Sequence, residues 1–178
     1  MNFVLLSISG HDRPGIVRDV SEALLDVNAN IEDSSMTALR GRFAMMLIVS
    51  LPEDAKLGEL KAALAELEQR TSLTIQSQPI TDDEAHHAPP EPDYVVTVSG
   101  ADKPGIVHDV TDCLAGLDIS VVDLSTRLGD GEDANPVYMM ALEVAVGGHA
   151  EAMQRQLADV SECLQVDIEI HPMESEIL

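Results

Sequence analysis

The stretches SGHDRPGIVRDV, residues 9–20, and SGADKPGIVHDV, residues 99–110, each place an Asp, a base, a Pro and a Gly just ahead of an apolar helical pattern. A turn of this kind has definite chemistry open to it. A helix start presents backbone N–H groups without intrahelical partners, and the positive end of the helix dipole. Together these attract a carboxylate. The carboxylate of Asp12 or Asp102 can meet an ammonium group, or it can cap the helix by accepting from the free N–H groups. Glycines at 10, 15, 100 and 105 let the backbone pass close to a ligand or to another chain. An N–H donor set beside a carboxylate suits an amino-acid zwitterion. Ordinary capping with helix–sheet packing would use the same residues, and both readings stay open at this point. Neither stretch holds a Ser nucleophile with a base, a Cys/His cluster or a Walker lysine, so no catalytic residue is assigned.

The elements that carry these turns repeat. At an offset of ninety, Ser9, Gly10, Asp12, Pro14, Gly15, Ile16, Val17, Asp19, Val20 and Leu24 meet identical residues, and MMLIV at 45–49 meets MMALEV at 139–144. The second match needs four more residues in the later copy, supplied by GDGEDANP at 129–136. Two long copies indicate a duplicated domain and not a solenoid. Short runs rich in Val, Ile and Leu predict strands at 3–9 and 94–99. Ile16, Val17, Val20, Ala23, Leu24 and Val27 follow a 3.6-residue period, as do Ile106, Val107, Val110, Cys113, Leu114 and Leu117. Pro14 is placed in the first helical turn. Strands are expected at 31–38 and 43–51, joined by a tight turn at RGR, and at 121–127 and 137–146 around the acidic loop. A second helix shows Leu57, Leu60, Leu64 and Leu67 in one copy and Met153, Leu157 and Val160 in the other. Last strands fall at 73–77 and 166–170. The order βαββαβ predicts an α+β fold of two ferredoxin-like domains, each a four-stranded antiparallel sheet with two helices on one face. The divisions are residues 1–78, an acidic Pro-rich linker at 79–93 read as extended, residues 94–172 and a tail at 173–178.

Charge and composition remove several functions. The chain of 178 residues has a net charge of −22, with −4 in residues 1–78, −5 in 79–93 and −13 in 94–178. Such a surface repels nucleic-acid phosphate and anionic lipid, so neither direct DNA binding nor a membrane partner is expected. Aromatic residues make up only 2%, with no Trp, which leaves no base-stacking platform. No run approaches the length of a membrane span, and the opening MNFVLLSISG, without a basic segment or a long apolar run, is not expected to be a signal peptide. Cys113 and Cys163 lie on apolar helix faces and read as buried, reduced thiols of a cytoplasmic protein. His86 and His87 have no ligand cluster around them, so no metal is expected. Met45–Met46 and Met139–Met140 alternate across a strand, one of each pair packing under the helices. Open sheet edges favour homo-oligomers.

The motif SGHDRPGIV with NANIEDSSMTALRGRFAMMLIVSLP, and SGADKPGIVHDV with DISVVDLSTR, resemble ACT domains, the βαββαβ regulatory modules of amino-acid metabolism. The tandem arrangement, NIEDSSM, GRFAMMLIV and LSTR…PVYMMALEV are similar to the glycine cleavage system transcriptional repressor family. The resemblance covers nearly the whole chain. It implies a non-enzymatic regulator that binds an amino acid near the first strand–helix loop, at an interface between modules. Carried over, that implicates Gly10, His11, Asp12, Arg13, Pro14, Gly15 and Ile16 with Asn30 and Ile31. In the second copy it implicates Ala101, Asp102, Lys103, Pro104, Gly105 and Ile106. The first copy is the better site, since His11 is replaced by Ala101 and Asn30 by Ser120. The resemblance further implies no cofactor, a small amino-acid effector such as glycine, and a DNA-binding transcriptional activator as protein partner. A ligand-free interaction adaptor is the alternative.

Overall fold

The computed structural model describes residues 2–53, 55–130 and 136–173. The chain forms two compact units, Met1–His87 and Ala88–Leu178. The first contains β1 (Asn2–His11), α1 (Ile16–Leu25), β2 (Asn30–Leu39), β3 (Arg42–Leu51), α2 (Leu57–Thr71), β4 (Thr74–Ile80) and a single turn of helix, α3 (Asp82–Ala85). The second contains β5 (Tyr94–Ala101), α4 (Ile106–Gly116), β6 (Ser120–Asp130), β7 (Pro136–Ala145), a 3₁₀ turn at Gly147–His149, α5 (Ala150–Leu164) and β8 (Asp167–Pro172). The sheets are antiparallel, with strand orders β2-β3-β1-β4 and β6-β7-β5-β8. The expected α+β plait is therefore present twice.

Alternation along the central strands decides which face is covered. On β3, Phe43, Met45, Leu47, Val49 and Leu51 point inward and are buried, while Met46 is exposed. On β7, Met140 is buried and Met139 exposed. The inward residues meet Ile16, Val20, Ala23 and Leu24 of α1 and Leu60, Leu64 and Leu67 of α2 in one core. Val96, Val98, Val110, Leu114, Leu142, Met153 and Leu157 build the corresponding core of the second unit. Each such buried aliphatic side chain contributes about 1.5–3 kcal/mol. β2 contributes nothing to its core, being exposed along its whole length. A register shift falls between Ile31 and Asp33 in one sheet and between Val121 and Asp123 in the other, so the duplication reproduces a bulge as well as the strands.

Several local expectations are corrected. Pro14 lies in the turn ahead of α1 and not within it, because Gly15, at φ 89°, holds the position before the helix. The stretch 79–93 is not uniformly extended. Residue 80 still belongs to β4, and Thr81 and Glu84 form a reciprocal cap that starts α3. Cys163 is exposed and Cys113 half-buried, because α4 and α5 each bury a narrower stripe than their apolar residues suggest. Burial pushes the Cys113 thiol up, with Asp112 and Asp159 adding to the shift. The acidic loop expected after β6 falls partly at 131–135, outside the described residues.

Candidate functional site

The β1–α1 connection is shaped by two close fits. Gly10 lies one residue before the end of β1, opposite Phe43, and a Cβ there would stand 2.6 Å from Leu73 Cδ2. Gly100 is in the same position, with a Cβ placed 2.9 Å from Val166 Cγ1. Gly15 and Gly105 turn the chain into α1 and α4 through left-handed backbone, at φ 89° and 102°. Four of the motif's glycines therefore have a folding reason.

Asp12 does not cap the helix. Neither Gly15 nor Gly105 offers a side chain, and no side-chain capping bond is made at either helix start. The Asp12 backbone N–H donates to the Gly41 carbonyl at 2.9 Å, tying the loop to the β2–β3 turn. Its carboxylate remains exposed and lines an open cleft of about 370 Å³ with Arg13, Gly15, Val17, Arg18 and Met36. The first N–H groups of α1 thus lie beside an uncommitted carboxylate.

The acid that is committed is Asp19, in the first turn of α1. It is 7% exposed and accepts from Arg13 Nη2 at 2.6 Å and from Arg18 Nη2 at 2.7 Å. Hydrogen bonds from Arg18 and then Arg13 hold its carboxyl below the usual aspartate range, and the Asp19 carboxylate raises Arg18 in turn. In the second unit both arginines are replaced. Lys103 Nζ donates to the Leu164 carbonyl at 3.2 Å, and His108 Nδ1 stands 3.0 Å from Asp109 Oδ1. Asp109 raises the His108 pKa, by its hydrogen bond and then by its charge. The repeat had shown Asp19 and Asp109 as an identical pair, and that identity was the available signal for their role.

The other candidate residues are distributed unevenly. His11 Nε2 meets Arg42 Nη1 at 3.0 Å. Ile16 is buried in its core yet also lines the cleft beside Asp12, whereas Ile106 is buried in the core of the second unit. Asn30 and Ile31 stand at the far end of the sheet. Asn30 pairs with Ser50, whereas the loop end of β3 is Arg42, paired with His11. The eight residue steps of β3 from Arg42 to Ser50 span about 26 Å at about 3.3 Å per residue. Asn30 Nδ2 is engaged with Glu32 Oε1 at 3.0 Å, and Ser50 Oγ donates to the same oxygen at 2.5 Å. Those two bonds, Ser50 first, hold the Glu32 carboxyl below its usual range. In the second unit Ala101 pairs with Val137 at the end of β5, and Pro104 precedes Gly105 in the turn to α4. Asp102 lies close enough to Tyr138 to add to the rise that burial imposes on its phenol.

Among the described residues no group of three His, Cys, Asp or Glu side chains is arranged to hold a metal ion. Among them also, no helix is long and apolar enough to cross a membrane.

Each of the two plaits thus carries a strand–helix turn at its head, and no side chain caps the helix that follows. The ACT domain profile matches residues 2–78 and 93–171. The chain belongs to the ACT-domain family, in a tandem form, and through its single-module relatives to the UPF0237 proteins. The UPF0237 protein of Methanopyrus kandleri is 40% identical over 76 residues, covering 42% of this chain and 84% of the relative. The UPF0237 protein of Corynebacterium diphtheriae is 34% identical over 83 residues, covering 45% and 93%. Among solved structures, an unknown protein from Galdieria sulphuraria has a TM-score of 0.78 at 30% identity, over 97% of this chain and 98% of that one. A candidate glycine cleavage system transcriptional repressor has a TM-score of 0.71 at 20% identity, over 97% of both chains, and is alike in fold.

Proposed function

We propose that this ACT-domain regulatory protein senses a small amino acid, such as glycine, at the β1–α1 turn of its first unit. In this reading it acts as a repressor or co-regulator of glycine cleavage genes through a DNA-binding activator protein. The observation that carries the reading is the cleft shared by the Asp12 carboxylate and the uncapped start of α1. An α-ammonium group pairs with Asp12, while the α-carboxylate turns toward the N–H groups and the arginine side. A small side chain suits the narrow space between Val17, Met36 and Phe43. Asn30 and Ile31 can join such a site only from another copy of the chain, since their own copy holds them at the opposite end of the sheet. The net charge of −22 supports an indirect action on DNA through a protein.

A second reading has its own support. The motif glycines are accounted for by packing and by left-handed turns, so a ligand-free adaptor would keep them too. Calorimetric titration with each amino acid separates the two. The sensing reading expects heat from one or a few small amino acids, absent in Asp12→Ala, with the circular dichroism of the variant unchanged. Silence across the whole set, with an activator protein still captured, would replace the sensor by the adaptor.

A further inference from the structure

The chain has 32 acidic and 10 basic residues, so a surface arginine has carboxylates to pair with almost anywhere. Among the described residues Arg40, Arg42, Arg127 and Arg155 nevertheless have no such partner, and the first two stand together at one corner of the first unit. Arg40 and Arg42 flank Gly41 at the tip of the β2–β3 hairpin, and both are exposed. Among the described residues neither has a carboxylate within 4.0 Å. The contact from Arg42 to His11 supplies no countercharge. The hairpin is fastened to the β1–α1 turn by Asp12 and Gly41, which brings Arg13 and Arg18 to the same corner, where they share Asp19. Arg13, Arg18, Arg40 and Arg42 thus lie toward one corner, where Asp12, Asp19 and the charge of Glu22 on Arg18 are the acids in reach.

Two further observations set this corner apart. Arg40 adopts φ 48° and Gly41 φ 75°, a two-residue hairpin turn in which Asn or Gly is the unstrained choice at the first position. An arginine held there is disfavoured by its Cβ, in a conformation that Asn28, Ser72, Asp118 and Gln165 also adopt. The matching hairpin of the second half, GDGEDANP, has no arginine, so the fold does not require one. Beside the arginines, Leu39 is 66% exposed, and a cleft of about 250 Å³ runs between Thr37, Leu39, Phe43 and Ala44.

We propose that this corner docks an acidic peptide segment of a partner protein, its carboxylates on Arg40 and Arg42 and a neighbouring apolar side chain in the cleft beside Leu39. Bidentate guanidinium–carboxylate pairs supply the orientation, and the apolar contact supplies the area. A nucleic-acid backbone fits less well, because it has no group for the apolar cleft and would lie along a strongly acidic chain. The inference does not depend on the amino-acid reading, since Arg40 and Arg42 lie outside that site and no amino acid is needed to observe binding.

The test uses the full chain and a fluorescein-labelled peptide of repeated Glu-Leu-Glu-Ala, followed by anisotropy at low salt. Binding is expected, weakened roughly tenfold in R40E/R42E, and not reproduced by the peptide with Lys for Glu. The variant R40G guards against a folding artefact. Gly relieves the turn, so R40G should melt no lower than the native chain and still bind the peptide less tightly. The proposal is overturned by absence of peptide binding, by equal affinity in R40E/R42E and R40G, or by displacement of the peptide by a single-stranded oligonucleotide of equal charge. It is equally overturned if sedimentation shows self-association that R40E/R42E abolishes, which would assign the corner to a second copy.

Discussion

Gly10 and Gly100 hold matched positions in the repeat, yet alanine should harm the second unit more than the first. A Cβ at Gly100 meets Val166 at three points, Cγ1 at 2.9 Å, Cβ at 3.2 Å and Cα at 3.3 Å. A β-branched side chain has little freedom at χ1 and a backbone atom has less, so the neighbour cannot step aside. At Gly10 the closest atom is nearer, Leu73 Cδ2 at 2.6 Å, but it is the tip of a leucine whose Cα is 3.5 Å away. Overpacking without escape costs about 1–3 kcal/mol, whereas turning a leucine off its rotamer costs about 0.5–1.5 kcal/mol. Either alanine regains about 0.4–1 kcal/mol by restricting the unfolded chain. The net expectation is about 1–2 kcal/mol lost for Gly100→Ala and near zero for Gly10→Ala. For a unit of this size each kcal/mol moves Tm by roughly 4–8 °C. Scanning calorimetry of both variants checks the order, and the double variant Gly100→Ala, Val166→Ala should show favourable coupling. The reasoning is refuted if Gly10→Ala is the more damaging, or if the Val166 cycle shows no coupling. If neither alanine registers, packing does not hold these glycines and a ligand becomes their explanation.

The remaining expectations concern the acids of the first helical turns. Asp19 has a folded pKa below the ordinary 3.8, so its stabilisation is present above 3.8 and lost as pH falls through the lowered value. Urea midpoints of native protein and Asp19→Asn should differ above that range and converge in acid, and a constant gap would contradict the ion-pair account. His108 has a folded pKa above 6.5, so its pairing with Asp109 stabilises below 6.5 and fades as pH rises through the raised value. Proton NMR should show the His108 titration moving down in Asp109→Asn; an unmoved curve would mean that Asp109 is not the cause.

The duplication, the element order and the inward faces were legible in the linear chain. Each rests on residues near one another in sequence, namely the 3.6-residue stripe from Ile16 to Leu24, the alternation from Phe43 to Leu51, and the tight turn at Arg40–Gly41. The ACT motif likewise marked the β1–α1 turn as the place to look. What the linear chain could not resolve was which members of the motif serve the fold. Gly10 and Gly100 are constrained by Leu73 and Val166, which lie more than sixty residues later and arrive only when β4 and β8 pair with the first strands. Cys163 looked buried because period alone gives the apolar stripe, while the width actually covered is set by the opposing helix and sheet.

Composition and local pattern by themselves determined two plaits, a strongly acidic surface and a recurrent turn, because hydrophobic period and charge are properties of short stretches. Tertiary structure alone decided the rest. It buried Asp19 between two arginines, left Asp12 uncommitted, set Asn30 at the far end of the sheet from the turn, and brought Arg13 and Arg18 to the side of the hairpin that carries Arg40 and Arg42. The physical reason is that strand pairing joins residues by register across the sheet, and register is fixed only once the core has closed over both helices.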